Sequence, residues 1–95
     1  SRFPEVRRDL AILVDEATPV SDILSVINAS SSDLVKEIQL FDIYQGKGVG
    51  EGIKSVAFGL ILQEFSRTLT DKEVDSEIEN IVSTLNQQFA ATLRE

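Results

Sequence analysis

The sequence predicts an α+β fold in which one antiparallel sheet has both helices on the same face, with the element order βαββαβ. Three segments alternate between apolar and polar residues with a period of two, which is typical of strands with one buried face. Two other segments have apolar residues at helical spacing, and each follows a helix start signal. The second and third strands flank a glycine-rich loop, which predicts a hairpin at the centre of the chain.

The first strand is predicted at residues 6–14, where even positions are mostly apolar and odd positions are polar or small. Residues 15–17 interrupt this pattern. Thr18 and Pro19 then predict a helix, with Thr18 as its N-cap and Pro19 at its first helical position. We expect the helix to end among the small polar residues 28–32. Its apolar stripe has helical spacing: Val20, Ile23, Leu24 and Ile27.

The second strand is predicted at residues 34–45 and the third at 53–64, on the strength of their β-branched and aromatic residues. Within the second strand the apolar residues change face: Ile38 and Leu40 share one face, Phe41 and Ile43 the other. We therefore expect a bulge near Leu40 and Phe41. Residues 46–52 contain four of the five glycines and predict a flexible hairpin loop. They do not form a dinucleotide fingerprint, because strands flank them on both sides.

The second helix is predicted to begin at a capping box formed by Thr70 and Glu73. Apolar residues follow at helical spacing: Val74, Ile78, Ile81, Val82 and Leu85. Residues 89–93 predict either a final edge strand or the frayed end of this helix. The acidic residues of the helix occur at every second position, so their side chains point in different directions around the helix and cannot converge on a metal ion. This spacing indicates a solvated surface: Asp71, Glu73, Asp75, Glu77 and Glu79.

Length and composition fit one small domain. The chain has 95 residues, of which 42% are hydrophobic, enough for one modest core. It contains no cysteine and no histidine, which excludes disulfides and thiolate metal sites, and removes the commonest general base. No apolar run approaches the roughly 18 residues of a membrane span, and there is no signal-peptide pattern. We interpret residues 1–95 as a single cytoplasmic domain excised from a larger chain, with no membrane partner and monomeric when isolated.

Because the helices cover one face of the predicted sheet, the other face stays open. Strand alternation places seven residues there: Arg7, Asp9, Ala11, Tyr44, Ser55, Ala57 and Gly59. One tyrosine among small residues, with cations nearby, suits an unpaired nucleobase, and stacking contributes about 1–3 kcal/mol per base. The alternative interpretation is that Tyr44 only packs on the sheet or on a neighbouring domain.

Four motifs in order are similar to those of one family. They read Phe3-Pro4-x-x-Arg7-Arg8-Asp9, Phe41-Asp42-x-Tyr44-x-Gly46, Lys54-Ser55-x-Ala57-Phe58 and Arg67-Thr68-Leu69-Thr70-Asp71. Over residues 3–94 the chain resembles the ferredoxin-fold anticodon-binding domain at the C-terminus of the bacterial phenylalanyl-tRNA synthetase beta subunit. This resemblance implies a ferredoxin-like fold and binding of the anticodon stem-loop of phenylalanine tRNA on the open face.

The resemblance also implies roles for particular residues. Tyr44 would stack on a base, Ala11 would line the base pocket, and Ser55 would hydrogen-bond the base edge. Phosphate or sugar contacts are expected from further residues: Lys54, Arg7, Gln45 and, if the loop becomes ordered on RNA, Lys47. Many relatives have arginine at the position of Gln45, so a backbone contact there is in doubt.

The sequence contains no catalytic constellation, since no serine or threonine has an identifiable base. We therefore expect this domain to be non-catalytic, without a metal or cofactor of its own. The resemblance implies a parent ligase that uses ATP and magnesium to join phenylalanine to its tRNA. Its partners would be the rest of the beta subunit and an alpha subunit that contains the catalytic site.

The net charge of −7 argues against RNA binding. We expect the charges to segregate, with acids on the second helix and cations near the sheet: Arg2, Arg7, Arg8, Lys47, Lys54 and Arg67. Weak RNA affinity is expected for the chain alone. Arg8 is predicted to have a structural role and no ion pair with Asp9, which would instead hold another basic side chain on the open face.

A different class of function fits the same fold. The chain would then be a ferredoxin-like regulatory or dimerisation domain, with Ala57 and Ile61 of the open face buried by a partner. An enzymatic function is disfavoured because the acid–base residues are missing.

Overall fold

The computed structural model describes residues 3–94 of the chain. The elements are β1 (Val6–Asp15), α1 (Val20–Ser30), β2 (Val35–Tyr44), β3 (Ile53–Leu62), α2 (Asp71–Phe89) and β4 (Thr92–Leu93). The predicted order βαββαβ is confirmed, and residues 92–93 form the final strand instead of extending the helix. The strand boundaries agree with the sequence pattern to within two residues.

The four strands form one antiparallel sheet in the order β2-β3-β1-β4. The two central strands pair over their full length, from Val6 opposite Leu62 to Asp15 opposite Ile53. The last strand is much shorter and pairs with β1 only at Ile12 and Leu13. The sheet therefore has a long edge strand on one side and a very short one on the other.

The hydrophobic core lies between the sheet and the two helices. Even-numbered residues of β1 and β3 point toward the helices, and their buried members include Ile12, Val14, Val56, Phe58, Leu60 and Leu62. Against them pack Ile23 and Ile27 of α1 and Val74, Ile81 and Leu85 of α2. These side chains all come from this chain, and burial of each contributes about 1.5–3 kcal/mol. The chain can therefore fold around its own core without a partner.

The two helices begin differently. At α2, the predicted capping box is confirmed: the Glu73 amide donates to the Thr70 hydroxyl at 3.2 Å, and the Thr70 amide donates to the Glu73 carboxylate at 3.1 Å. At α1, the predicted N-cap Thr18 is wrong. Pro19 is the N-cap, with extended backbone (φ −65°, ψ 134°), and Val20 is the first helical residue. The extended ψ angle of Pro19 leaves it outside the helix, so the helix begins one residue later than predicted.

The register of β2 shifts twice, between Val35 and Glu37 and between Leu40 and Asp42. The second shift confirms the predicted bulge, whereas the first was not predicted. At the second shift Phe41 is the extra residue, and its ring lies beside Gly59 on the face opposite the helices. Ile43 pairs with Val56 and so points to the helical face. The expectation that Phe41 and Ile43 share a face was wrong, because the bulge shifts the alternation by one residue.

The loop 46–52 is anchored by one buried side chain and two backbone hydrogen bonds, and the flexibility expected from its composition stays a prediction. Val49 is 6% exposed and lines a cleft together with Phe89 and Ala90. The Val49 amide donates to the Gly46 carbonyl, and the Glu16 amide donates to the Gly52 carbonyl. All four loop glycines have positive φ, so they let the chain fold back toward the sheet. One buried valine in a polar loop gives no periodic pattern from which this anchor could be predicted.

Candidate nucleic-acid interface

The open face is the sheet surface opposite the helices. Since directly opposed residues point to the same side, the register places all seven expected residues on this face: Tyr44 opposite Ser55, Ala11 opposite Ala57, Asp9 opposite Gly59, and Arg7 opposite Ile61. It also adds Leu13, Glu37, Gln39, Asp42 and Thr92. The middle of this surface is a row of small residues.

Tyr44 is at the end of β2 and is 38% exposed. Its hydroxyl donates to the Lys47 carbonyl at 3.0 Å, which links the ring to the start of the loop. Its cross-strand neighbour Ser55 is 3% exposed. The next row contains Ala11 and Ala57. The ring therefore lies on the open side of the sheet next to side chains too small to obstruct it.

A second aromatic ring on this face was missed by the sequence reasoning. Phe41 is 45% exposed, and a Cβ on Gly59 would lie only 2.8 Å from its Cζ atom. The guanidinium carbon of Arg7 lies 4.8 Å from the ring centroid. Arg7 Nε donates to Asp9 Oδ1 at 3.0 Å. The expectation of one lone aromatic was wrong, and the glycine within a strand was the signal that indicates close approach.

Asp9 pairs with Arg7 and not with Arg8, as predicted. Arg8 belongs to the row of β1 residues that points toward the helices, and its Nη1 donates to the Arg7 carbonyl at 3.4 Å. This local contact fits the structural role expected of Arg8. Asp9 thus fixes the basic side chain that lies over Phe41.

The structure separates Lys54 from the other candidate contacts. Lys54 belongs to the helix-facing row of β3, is 8% exposed, and donates its ammonium hydrogen to the Thr18 carbonyl. It therefore connects the sheet to the segment before α1, facing away from Tyr44. Gln45 and Lys47 follow Tyr44 and are exposed; Gln45 Nε2 donates to Glu16 Oε2 at 2.8 Å. RNA contacts by these three residues stay predictions.

Charge is only partly segregated between the two faces. The acids of α2 are on the helical side, as expected, but Asp9, Glu37 and Asp42 are on the open face. Arg67 is engaged by Glu73 at 2.5 Å, and Arg2 lies outside the described residues. The Arg67 guanidinium and the Thr70 amide hold the pKa of Glu73 at about 2 by hydrogen bonding to its carboxylate.

A cleft of about 520 Å³ opens beside the loop, lined by Glu16, Gln45, Lys47, Glu51 and the loop glycines. It does not include Tyr44. Within residues 3–94 no group of three or more acidic side chains is arranged to hold a metal ion. Neither helix of the described chain is long and apolar enough to cross a bilayer.

The fold and the open face together define a ferredoxin-like binding domain, in which helices stabilise a sheet whose other surface is available for a ligand. The family model for the ferredoxin-fold anticodon binding domain matches residues 1–94. The chain belongs to this family, which confirms the resemblance inferred from the four motifs. It is a binding domain and not a catalytic one.

Similar proteins are phenylalanine–tRNA ligase beta subunits. The chain is 50% identical over 94 residues to that of Pseudomonas fluorescens (strain Pf-5) and 48% identical over 94 residues to that of Dechloromonas aromatica, each time over 99% of the chain. It is 50% identical over its full 95 residues to that of Methylococcus capsulatus. The chain spans only 12% of the length of each of these relatives.

Proposed function

We propose that the chain is the tRNA-binding domain of a phenylalanine–tRNA ligase beta subunit, and that its open face binds the anticodon stem-loop of phenylalanine tRNA. The observation that supports this most directly is the exposed Tyr44 ring on the open face beside the small residues Ser55, Ala11 and Ala57. Family membership supports the same ligand class.

The mechanism begins with stacking. An unpaired base of the loop lies on the Tyr44 ring, which contributes about 1–3 kcal/mol. Ala11 and Ala57 leave room for the base because neither side chain extends beyond a methyl group. The Ser55 hydroxyl is assigned the hydrogen bond to the edge of that base, which favours one base over another; because Ser55 is 3% exposed, neighbouring side chains must move aside for this contact.

The cluster of Arg7, Asp9 and Phe41 supplies a second contact. The Asp9 carboxylate accepts the hydrogen bond from Arg7 Nε, and the Arg7 guanidinium packs on the Phe41 ring. The Nη hydrogens of Arg7 are not used by Asp9 and bind a phosphate or sugar oxygen of the RNA. Gln45 and Lys47 contact the RNA backbone beside Tyr44. We assign Lys54 to holding the start of α1, because its ammonium is already bonded there.

The chain would be one domain of a larger cytoplasmic protein that also contacts an alpha subunit. That parent ligase would use ATP and magnesium at a catalytic site elsewhere, while this domain selects the tRNA. The isolated chain would be monomeric. For the alternative of a dimerisation domain, Ile61 was one of the two residues expected to be buried by a partner, and it is already only 9% exposed in the single chain.

The test is a Tyr44→Ala substitution in the full beta subunit assembled with its alpha subunit. Loss of 1–3 kcal/mol of stacking predicts a Kd for phenylalanine tRNA raised about 5- to 150-fold. Tyr44→Phe is the matched control, because it keeps the ring and removes only the hydrogen bond to Lys47. Unchanged affinity and unchanged anticodon discrimination in Tyr44→Ala would contradict the proposal.

A further inference from the structure

We propose that Arg94 covers Tyr44 in the unbound domain, and that an incoming base displaces its guanidinium, which then binds an RNA phosphate. This inference rests on the proposed function. Arg94 follows β4 and was not singled out by any sequence pattern. Its guanidinium carbon lies 5.6 Å from the centroid of the Tyr44 ring.

The two residues come from opposite edges of the sheet. Tyr44 is opposite Ser55, Ser55 is opposite Leu13, and Leu13 is opposite Thr92, two residues before Arg94. Three strand spacings separate the edges by about 14 Å. A contact at 5.6 Å therefore requires both side chains to extend inward over the middle of the open face. That middle is the row of small residues where the base is proposed to bind.

The backbone of Arg94 is hydrogen-bonded to β1, whereas no hydrogen bond or ion pair within residues 3–94 holds its side chain. Its amide donates to the Ala11 carbonyl at 2.8 Å, so its side chain is on the same face as that of Ala11. Upstream, Ala91 is 2% exposed and its carbonyl accepts a hydrogen bond from Asn86 Nδ2 at 3.0 Å. The Arg94 side chain itself is exposed. Opening the face thus requires only a rotation of this side chain and no movement of the sheet.

The energies favour displacement. A cation–π contact at an exposed position is generally weaker than the stacking of a nucleobase on an aromatic ring. Both ion pairs among residues 3–94 involve other arginines, Arg7 and Arg67. The charge of Arg94 is therefore not neutralised by a carboxylate of the described chain. Once it leaves the ring, the guanidinium is beside the phosphates of the bound nucleotide, which it can contact through two parallel hydrogen bonds.

The contact with phosphate is tested by the salt dependence of binding. The probe is the synthetic anticodon stem-loop of phenylalanine tRNA, titrated with the 95-residue chain at several salt concentrations. Arg94→Gln is expected to weaken binding about three- to tenfold and to reduce the slope of log K against log salt by about 0.7, the value for one phosphate contact to a single strand. Arg94→Lys keeps the charge and should keep the slope. An unchanged slope, or tighter binding by Arg94→Gln, overturns the proposal.

The cover over the ring is tested without RNA. Tyr44 is the one tyrosine of the chain, and there is no tryptophan, so tyrosine fluorescence reports on this ring alone. Arg94→Gln should increase quenching by acrylamide, because the ring loses its cover. Arg7→Gln is the matched control, since Arg7 lies over Phe41, and it should leave quenching unchanged. Equal quenching in Arg94→Gln and the unmodified chain would overturn the proposal that Arg94 covers the Tyr44 ring.

The two proposals can fail separately. If Tyr44→Ala weakens tRNA binding while Arg94→Gln changes neither affinity nor salt slope, only the role of Arg94 is lost. If Tyr44→Ala has no effect while Arg94→Gln lowers both affinity and slope, the proposed stacking on Tyr44 is contradicted and the proposed phosphate contact of Arg94 is supported. Circular dichroism melts of each variant verify folding, which we expect to be retained because both side chains lie outside the core.

Discussion

Gly59 determines how an aromatic ring lies on the open face. A Cβ atom at this position would be 2.8 Å from Phe41 Cζ and 2.9 Å from Asp9 Oδ1, both too close for real contacts. The missing side chain therefore lets the far end of the ring and the Asp9 carboxylate both approach β3 at Gly59, where Asp9 pairs with the Arg7 side chain that lies over the ring. Glycine weakens a strand interior, and here the cost is offset by the packing of Phe41.

We expect Gly59→Ala to displace the Phe41 ring and to lower the free energy of unfolding by about 1–3 kcal/mol, as overpacking does. Urea denaturation measures this change. The same substitution is then made in a Phe41→Ala variant, where the added methyl group contacts only Asp9. In that variant Gly59→Ala should lower the free energy of unfolding clearly less. Equal costs in the two backgrounds would show that the ring does not occupy this position.

At the scale of an element, α2 is held at its start by a network of side chains. The Thr70 hydroxyl accepts from the Glu73 amide, and the Glu73 carboxylate accepts from the Thr70 amide and from Arg67. The carboxylate is also favoured by the positive end of the helix dipole. Removal of a capping side chain generally costs about 0.5–2 kcal/mol, so the network stabilises the longer helix where it leaves the loop after β3.

The lowered pKa of Glu73 predicts a pH dependence of stability. Its folded pKa of about 2 is below the ordinary value of 4.5, so its contribution is complete above pH 4.5 and is lost as the pH falls toward 2. We expect Glu73→Gln to lower the thermal midpoint above pH 4.5, with the difference shrinking as the pH approaches 2. Glu79→Gln is the control, because it removes an exposed carboxylate of the same helix without altering the cap. A difference that stays constant with pH would contradict the assignment.

Local patterns predicted what depends on local sequence. Alternation located the strands, and the change of face within β2 located its bulge. The remaining features depend on distant parts of the chain: Phe41 lies on the open face because a glycine of another strand accommodates it, and Val49 is buried at a cleft that it lines together with the end of α2. Lys54 illustrates a conflict between two arguments, because alternation puts it in the helix-facing row while its place beside Ser55 in a family motif suggested the open face.

For the whole molecule, the distribution of charge matters more than its sum. The chain has a net charge of −7, and even its open face includes Glu37, Asp42 and Asp9. Attraction of RNA to this face therefore depends on a few well-placed cations, with stacking contributing affinity that salt does not screen. Weak binding by the chain alone is the expected result.

Two equal charge changes on opposite faces test which surface meets the RNA. Glu37→Lys on the open face should tighten binding of the anticodon stem-loop about two- to fivefold, the effect of a favourable surface charge. Glu79→Lys on α2 adds the same charge on the helical side and should have a much smaller effect. Equal effects of the two substitutions, measured at low salt, would show that binding responds only to total charge.

The shortness of β4 has a consequence for how the domain behaves in a crowded cell. Since β4 pairs with β1 only at Ile12 and Leu13, no described strand covers the edge of β1 from Val6 to Leu10. Exposed backbone of this kind can recruit strands of other molecules and begin aggregation. The charged run Arg7-Arg8-Asp9 is located on this bare stretch. Besides any contact with nucleic acid, the charges of these residues disfavour pairing of this edge with strands of other molecules.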